Sequence, residues 1–201
     1  IARGKGVGCV VSPWNFPIAI PCGGVVAALA AGNTVIFKPS SDAVLVAWQL
    51  CQCFWQAGVS RRTLQFLPCA GGSTGMALIT HPDVDFVILT GGTETGRKVM
   101  AAAAESLTPV VLELGGKDAA IVLEDADLER AARGILWGAF QNAGQTCISV
   151  ERVFVVEESH DLLVRQLPIG VGVAAVAVGL HLLSDSLQRI LKSHRLGKAQ
   201  A

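Results

Sequence analysis

The chain has 201 residues, 51% of them hydrophobic and 16% charged, with 16 Lys+Arg balanced by 16 Asp+Glu. A chain of that length builds one sizeable domain, or one domain and part of another. Zero formal charge argues against a nucleic-acid or anionic-membrane partner. A mean hydropathy of +0.50 points to more buried-type residues than an average soluble domain carries.

The six cysteines, at positions 9, 22, 51, 53, 69 and 147, have neither metal-ligand nor disulfide-framework spacing. Cys51-Gln52-Cys53 reads as structural. Six unpaired thiols suit a reducing, cytoplasmic compartment. No secretory signal opens the sequence, and Ile1 stands where an initiator methionine would be expected, as in a chain that starts inside a longer protein. The apolar run Ile169 to Leu180 contains three glycines and is too short to span a bilayer.

Taken in order, Val7 to Val11 predicts a buried strand, and Pro13 and Pro17 fix the backbone of the loop that carries Trp14 and Asn15. A helix is expected from about Ile18 to Ala31, stopped by Gly32-Asn33, and then a buried strand Thr34 to Pro39 with Lys38 at its carboxyl end. Helix Ala43 to Ala57, strand Leu64 to Leu67, a helix near Thr74 to Thr80 and strand Phe86 to Leu89 continue the alternation. Repeated β-α-β units mean a mainly parallel, helix-covered sheet, whose ligands sit at the carboxyl ends of the strands. Asn15, Lys38 and the glycines after Leu89 all fall at such ends.

Thr90-Gly91-Gly92-Thr93-Glu94-Thr95-Gly96 follows a strand and opens a helix predicted for Arg97 to Glu105. Bare glycines let a phosphate approach the backbone, and a helix N-terminus offers unpaired N–H groups and a positive dipole end. The segment is not a GxGxxG, and Arg97-Lys98 stand where a Walker loop needs Lys-Ser/Thr. Val110 to Leu114 reads as a buried strand running into the turn Gly115-Gly116-Lys117, with Glu113 among apolar neighbours. A carboxylate so placed is either ion-paired, with Lys117 the candidate partner, or a general base.

Leu128, Ala131, Ala132, Ile135, Leu136, Ala139 and Phe140 give a helix one apolar face, with Asp125 or Asp127 to cap it and Gly144 to stop it. Gly144-Gln145-Thr146-Cys147 then places a cysteine on a turn before the extended run Arg152 to Val156. Such a corner holds a thiol firmly without shutting it in a core, as a nucleophile requires, although most free cysteines are small buried hydrophobes.

Together Pro13-Trp14-Asn15-Phe16-Pro17, Gly32 to Pro39, Gly91 to Gly96, Leu112-Glu113-Leu114-Gly115-Gly116-Lys117 and Gly144-Gln145-Thr146-Cys147 resemble the aldehyde dehydrogenase superfamily, in the family's order and approximate spacing. The first hundred residues look most like the branch that oxidises glutamate semialdehyde (1-pyrroline-5-carboxylate dehydrogenases), whereas the segment around Glu113 is closer to general aldehyde dehydrogenases.

The resemblance implies a Rossmann-like α/β fold, with residues 1–113 as an incomplete dinucleotide-binding domain, 114–167 as the start of a catalytic domain and 168–201 as a divergent or truncated segment. It implies NAD or NADP as cofactor and a small aldehyde as substrate. Cys147 would attack the aldehyde, Asn15 and the Cys147 amide would hold the oxyanion, and Glu113 would activate the thiol or the hydrolytic water. Hydride transfer to the nicotinamide would leave a thioester for that water to hydrolyse.

Lys38 would meet the adenosine ribose, and Trp14 with Gly91, Gly92, Thr93 and Gly96 would hold the pyrophosphate, with Leu114 beside the cofactor. Gly92 replaces a serine usual in the family, and Ser41 replaces a glutamate common in NAD-preferring members, so that NADP is expected to bind at least as well as NAD. Full-length relatives would be homo-oligomers well over twice this length. The N-terminal portion and most of the second half of the catalytic domain are expected to be missing, and the likeness fades after Leu167.

Other classes make their own expectations. A non-catalytic dinucleotide-binding fragment would bind cofactor without turnover. Gly71-Gly72-Ser73-Thr74-Gly75 matches the serine-hydrolase elbow GxSxG, with His160, His181 or His194 to complete it, though a tight strand-to-helix turn explains it as well. Gly170, Gly172 and Ala175 fit a loose dinucleotide fingerprint by coincidence, and Ser184 to Lys192 has the pattern of a resumed helix.

Overall fold

In the computed structural model, residues 3–167 and the backbone of 179–182 are described. The segment 168–178, the helix expected at Ser184 to Lys192 and His194 lie outside the described residues. The chain divides into two compact units, residues 1–115 and 116–201.

The first unit is an alternating β/α run. Its strands are β1 (Val7–Val11), β2 (Thr34–Lys38), β3 (Leu64–Phe66), β4 (Phe86–Gly91) and β5 (Val110–Leu114). The helices between them are α1 (Ala19–Ala30), α2 (Val44–Gln56), α3 (Ser73–Ile79) and α4 (Thr93–Ser106), and a single 3-10 turn (Ser41–Ala43) leads into α2. All pairings are parallel in the order β3-β2-β1-β4-β5. The parallel α/β sheet expected from the alternation, Rossmann-like as the resemblance implies, is the fold.

Strand alternation sends neighbouring side chains to opposite faces. Val10 joins Val25, Ala28, Val35, Phe37, Ala47, Cys51 and Leu64 in one core layer. Cys9 joins Ile79, Val84, Val87, Leu89 and Val99 in the other. Both faces are therefore covered, which is why the strands read as near-continuous apolar runs.

Helix α1 tolerates Pro21 because it lies in the first turn, where no intrahelical donor is needed. It stops at Gly32, whose φ of +82° only glycine adopts without strain. The buried Asn33 side chain then donates to the Ala28 carbonyl (2.9 Å) and accepts from the Lys5 (2.6 Å) and Gly6 (3.1 Å) amides, tying the incoming chain to the start of β2.

The second unit holds β6 (Asp118–Val122), α5 (Leu128–Phe140), β7 (Val150–Val155), α6 (Glu157–Gln166) and β8 (Gly179–Leu182), with parallel strands in the order β6-β7-β8. Its core is Val122, Ala132, Ile135, Val153, Val155 and Leu163. Asp127, rather than Asp125, caps α5, accepting from the Arg130 amide at 3.1 Å. No helix among the described residues is long and apolar enough to cross a membrane.

Candidate active site

The carboxyl ends of β1, β2 and β4 carry the first group of candidate site residues. Beyond β1, the loop bracketed by Pro13 and Pro17 presents Trp14, 49% exposed, and the half-buried Asn15. Lys38 is the last residue of β2 and only 6% exposed, and its ammonium donates to the Pro39 carbonyl at 2.9 Å. A methyl group placed on Gly75 would crowd the Ala70 carbonyl at 3.1 Å and lie in ordinary contact, 3.5 Å, with Lys38 Cε, so α3 passes close beside the lysine stem. Sequence reading missed that partnership, because nothing local to Gly75 points to a residue 37 positions earlier.

Ser40 opens the 3-10 turn after β2, its hydroxyl accepting from the Asp42 amide at 3.4 Å, and leaves Ser41 exposed.

Helix α4 begins at Thr93, not near Arg97, and β4 runs on to Gly91. The connection is thus tighter than expected, with Gly92 alone as the cap residue. The glycines divide into two kinds. A Cβ on Gly91 or Gly92 would meet nothing within 4 Å, so the backbone there borders open space at a helix N-terminus. A Cβ on Gly96 would lie 2.6 Å from Leu114 Cδ2, so Gly96 lets the end of β5 pack onto the first turn of α4. Open glycines beside free amide donors fit a phosphate-bearing cofactor.

Glu113 is exposed on β5, so the expectation of a carboxylate enclosed by apolar neighbours is corrected: on this strand Glu113 alternates outward. The suggested pairing with Lys117 is corrected as well. Lys117 forms its ion pair with Glu151, and its carbonyl accepts two bonds from Arg152, at 3.1 and 2.6 Å.

In the second unit, Cys147 is exposed on the turn between α5 and β7. It is not the small core filler most free cysteines are. The contrast is with Cys9 and Cys51, both fully buried. Burial foremost, with Cys69 adding and Lys38 opposing, pushes the Cys9 thiol up to about 12. Burial raises Cys51 to about 11 against the opposing charge of Arg61.

The approach to Cys147 is built from left-handed backbone: Asn142 (φ 53°, ψ 36°), Ala143 (φ 57°, ψ 32°) and Gly144 (φ 76°). Gly144 is therefore the last of three such residues rather than a lone stop, and α5 itself ends at Phe140. Hydroxyls fix the rest. Thr146 Oγ1 donates to the Gln141 carbonyl (3.3 Å), and the buried Ser149 Oγ donates to the Ala139 (3.0 Å) and Gly138 (3.3 Å) carbonyls.

Ser73, the rival nucleophile, is an exposed first residue of α3, whose helix starts seven positions after β3 ends at Phe66. His160 hydrogen-bonds its sequence neighbour Asp161 at 3.0 Å.

The first unit thus holds a parallel sheet with a glycine-rich helix start, and the second an exposed cysteine on a pinned turn. The Aldehyde dehydrogenase family profile matches residues 2–179, and the chain belongs to that family. The match extends past Leu167, where the likeness was expected to fade.

Among relatives, a D-glyceraldehyde dehydrogenase (NADP(+)) of Picrophilus torridus is 37% identical over 161 residues, covering 80% of this chain and 33% of that protein. A 1-pyrroline-5-carboxylate dehydrogenase of Geobacillus thermodenitrificans is 39% identical over 168 residues, covering 81% and 33%. Of solved structures, an NADP-dependent glyceraldehyde-3-phosphate dehydrogenase from Bacillus halodurans complexed with NADP superposes with a TM-score of 0.78 at 39% identity, covering 82% of this chain and 34% of that one. The chain thus spans about a third of the length of the curated relatives it matches.

Proposed function

We propose that this chain carries the cofactor-binding and nucleophile-bearing parts of an NAD(P)-dependent aldehyde dehydrogenase, which oxidises an aldehyde to a carboxylic acid. The observation that carries the reading is the exposure of Cys147 on a turn held by two hydroxyl bonds, in a chain of this family. On this reading residues 1–113 form the dinucleotide-binding part and 114–167 begin the catalytic part, close to the division between compact units. Six free thiols suit a cytoplasmic setting.

Cys147 as thiolate attacks the aldehyde carbon, giving a thiohemiacetal. The Asn15 side-chain amide and the Cys147 backbone N–H donate to the developing oxyanion. Glu113 takes the proton of the thiol, or of the water that hydrolyses the thioester, and its exposed position leaves it open to water. Lys38 offers its remaining donors to an adenosine ribose, while Trp14 and the amides at Gly91, Gly92 and Thr93 receive the pyrophosphate, with Gly96 and Leu114 shaping that end of α4. The cofactor, when bound, supplies the hydride acceptor.

Ser41 gives the finer reading: a hydroxyl donates to a 2′-phosphate, where a carboxylate would repel it, so NADP binds at least as well as NAD. A small aldehyde is the partner; full-length relatives would assemble as homo-oligomers.

Reduced-cofactor absorbance with a panel of aldehydes, including glutamate semialdehyde, tests the proposal. Turnover that disappears in Cys147→Ala supports it, and turnover that persists in that variant defeats it. A second reading is cofactor binding without turnover, since the open glycine backbone at the start of α4 suits a phosphate independently of Cys147. Cofactor binding by a chain silent with every aldehyde would select it. Hydrolysis lost in Ser73→Ala but kept in Cys147→Ala would instead indicate a serine hydrolase.

A further inference from the structure

Cys147 is flanked by two hydroxyls whose hydrogen bonds both run back to the end of α5. On its amino side, Thr146 Oγ1 donates to the Gln141 carbonyl at 3.3 Å. On its carboxyl side, Ser149 Oγ donates to the Ala139 carbonyl at 3.0 Å and is shared with that of Gly138 at 3.3 Å. The last carbonyls of a helix have no intrahelical donor, so they are natural acceptors for such a clamp. Ser149 is only 4% exposed, and its amide closes the turn onto the Thr146 carbonyl at 3.1 Å.

Between the two clamps the turn lifts Cys147 and Ile148 outward, with Ile148 71% exposed. The left-handed run Asn142 to Gly144 is a sign of constraint, because non-glycine residues hold that conformation only when their surroundings over-determine it.

We propose that Ser149 and Thr146 are positioning residues for Cys147: their hydroxyl bonds to the end of α5 hold the turn in the one arrangement that keeps the thiol presented to solvent. The proposal rests on the reading of Cys147 as the nucleophile. It differs from simple helix capping in what it predicts, because a cap affects stability alone, whereas a positioning clamp sets the accessibility of one sulfur.

The test follows alkylation of Cys147 by iodoacetamide in the full 201-residue chain. Mass spectrometry of the peptide separates it from the other exposed thiol, Cys53. In Ser149→Ala the rate at Cys147 is expected to fall by up to about fivefold, the change in the turn's equilibrium that one lost hydrogen bond carries, while the rate at Cys53 stays as in the wild type. Ser149→Thr, which keeps a hydroxyl, is expected to restore most of it.

Thr146→Val against Thr146→Ser repeats the comparison at a half-buried position, so the test survives if Ser149→Ala does not fold. A lowered Tm with Cys147 alkylation unchanged in Ser149→Ala, or in Thr146→Val should the former not fold, overturns the proposal and leaves only capping. Failure of the underlying reading is seen separately, as aldehyde oxidation that survives Cys147→Ala.

Discussion

Leu114, the last residue of β5, lies where the Cβ of Gly96 would be: an added methyl would sit 2.6 Å from Cδ2, 2.8 Å from Cδ1 and 3.3 Å from Cγ of the leucine. The contact joins the first turn of α4 to the end of the neighbouring strand, and so fixes the helix start next to the open backbone at Gly91 and Gly92.

Gly96→Ala is therefore expected to destabilise the chain by about 1–2 kcal/mol through overpacking, outweighing the higher helix propensity of alanine. In a Leu114→Ala background the obstruction is gone and the same substitution is expected to be neutral or stabilising. Denaturant melts of the four proteins check this as a double-mutant cycle. Equal effects of Gly96→Ala in both backgrounds would contradict the packing account.

Ala143 has φ 57° and ψ 32°, a left-handed conformation that costs an alanine about 1–2 kcal/mol. Ala143→Gly removes that strain at the expense of a more flexible unfolded chain, with a net stabilisation of about 1 kcal/mol expected. The measurement is the midpoint of thermal or urea unfolding. A lower midpoint would mean that the alanine methyl supplies more than its strain costs.

Alkaline pH acts on the core through Cys9. Its thiol is raised from an ordinary 9.0 to about 12, mainly by burial. Between those values the unfolded chain has given up a proton that the folded chain keeps. The thiol's contribution is therefore complete below pH 9.0 and is lost as pH rises towards about 12, at roughly 1.4 kcal/mol per pH unit for one proton. Cys51, raised to about 11, acts in the same direction over a narrower window. Chemical denaturation at intervals above pH 9 should show this fall, less steep in Cys9→Ala, where one of the two thiols is gone. An identical slope in that variant would remove Cys9 from the account.

Much of this fold was legible in the sequence because parallel strands buried on both faces leave continuous apolar runs, such as Val7–Val11 and Thr34–Lys38. The helices α2 and α5 likewise follow their apolar spacing to within a few residues. Strand β6, Asp118–Val122, is not legible because Asp118-Ala119-Ala120 lacks the β-branched or aromatic residues that mark a strand and only Val122 is buried. Helix α6, Glu157–Gln166, went unassigned because it is polar apart from a few positions such as the buried Leu163.

The alternation of strands and helices did place Lys38 and the glycines at the ends of β2 and β4. The roles of neighbours were not legible, since Gly75 beside Lys38 and Ser149 beneath the Cys147 turn depend on contacts between distant stretches of chain. Helix α4 starts at Thr93, ahead of the expected Arg97, because Thr93-Glu94-Thr95, loop-like in composition, puts an acidic residue in a first helical turn.

Isothermal titration of the chain with NADP and with NAD tests the central claim most directly, since a site at the carboxyl ends of β1, β2 and β4 must bind a dinucleotide whether or not turnover follows. The account predicts saturable binding of both, NADP at least as tightly as NAD, weakened about tenfold or more in Lys38→Met by loss of a charge-assisted hydrogen bond. Absence of binding to either cofactor, in a chain whose melting shows it folded, would contradict it.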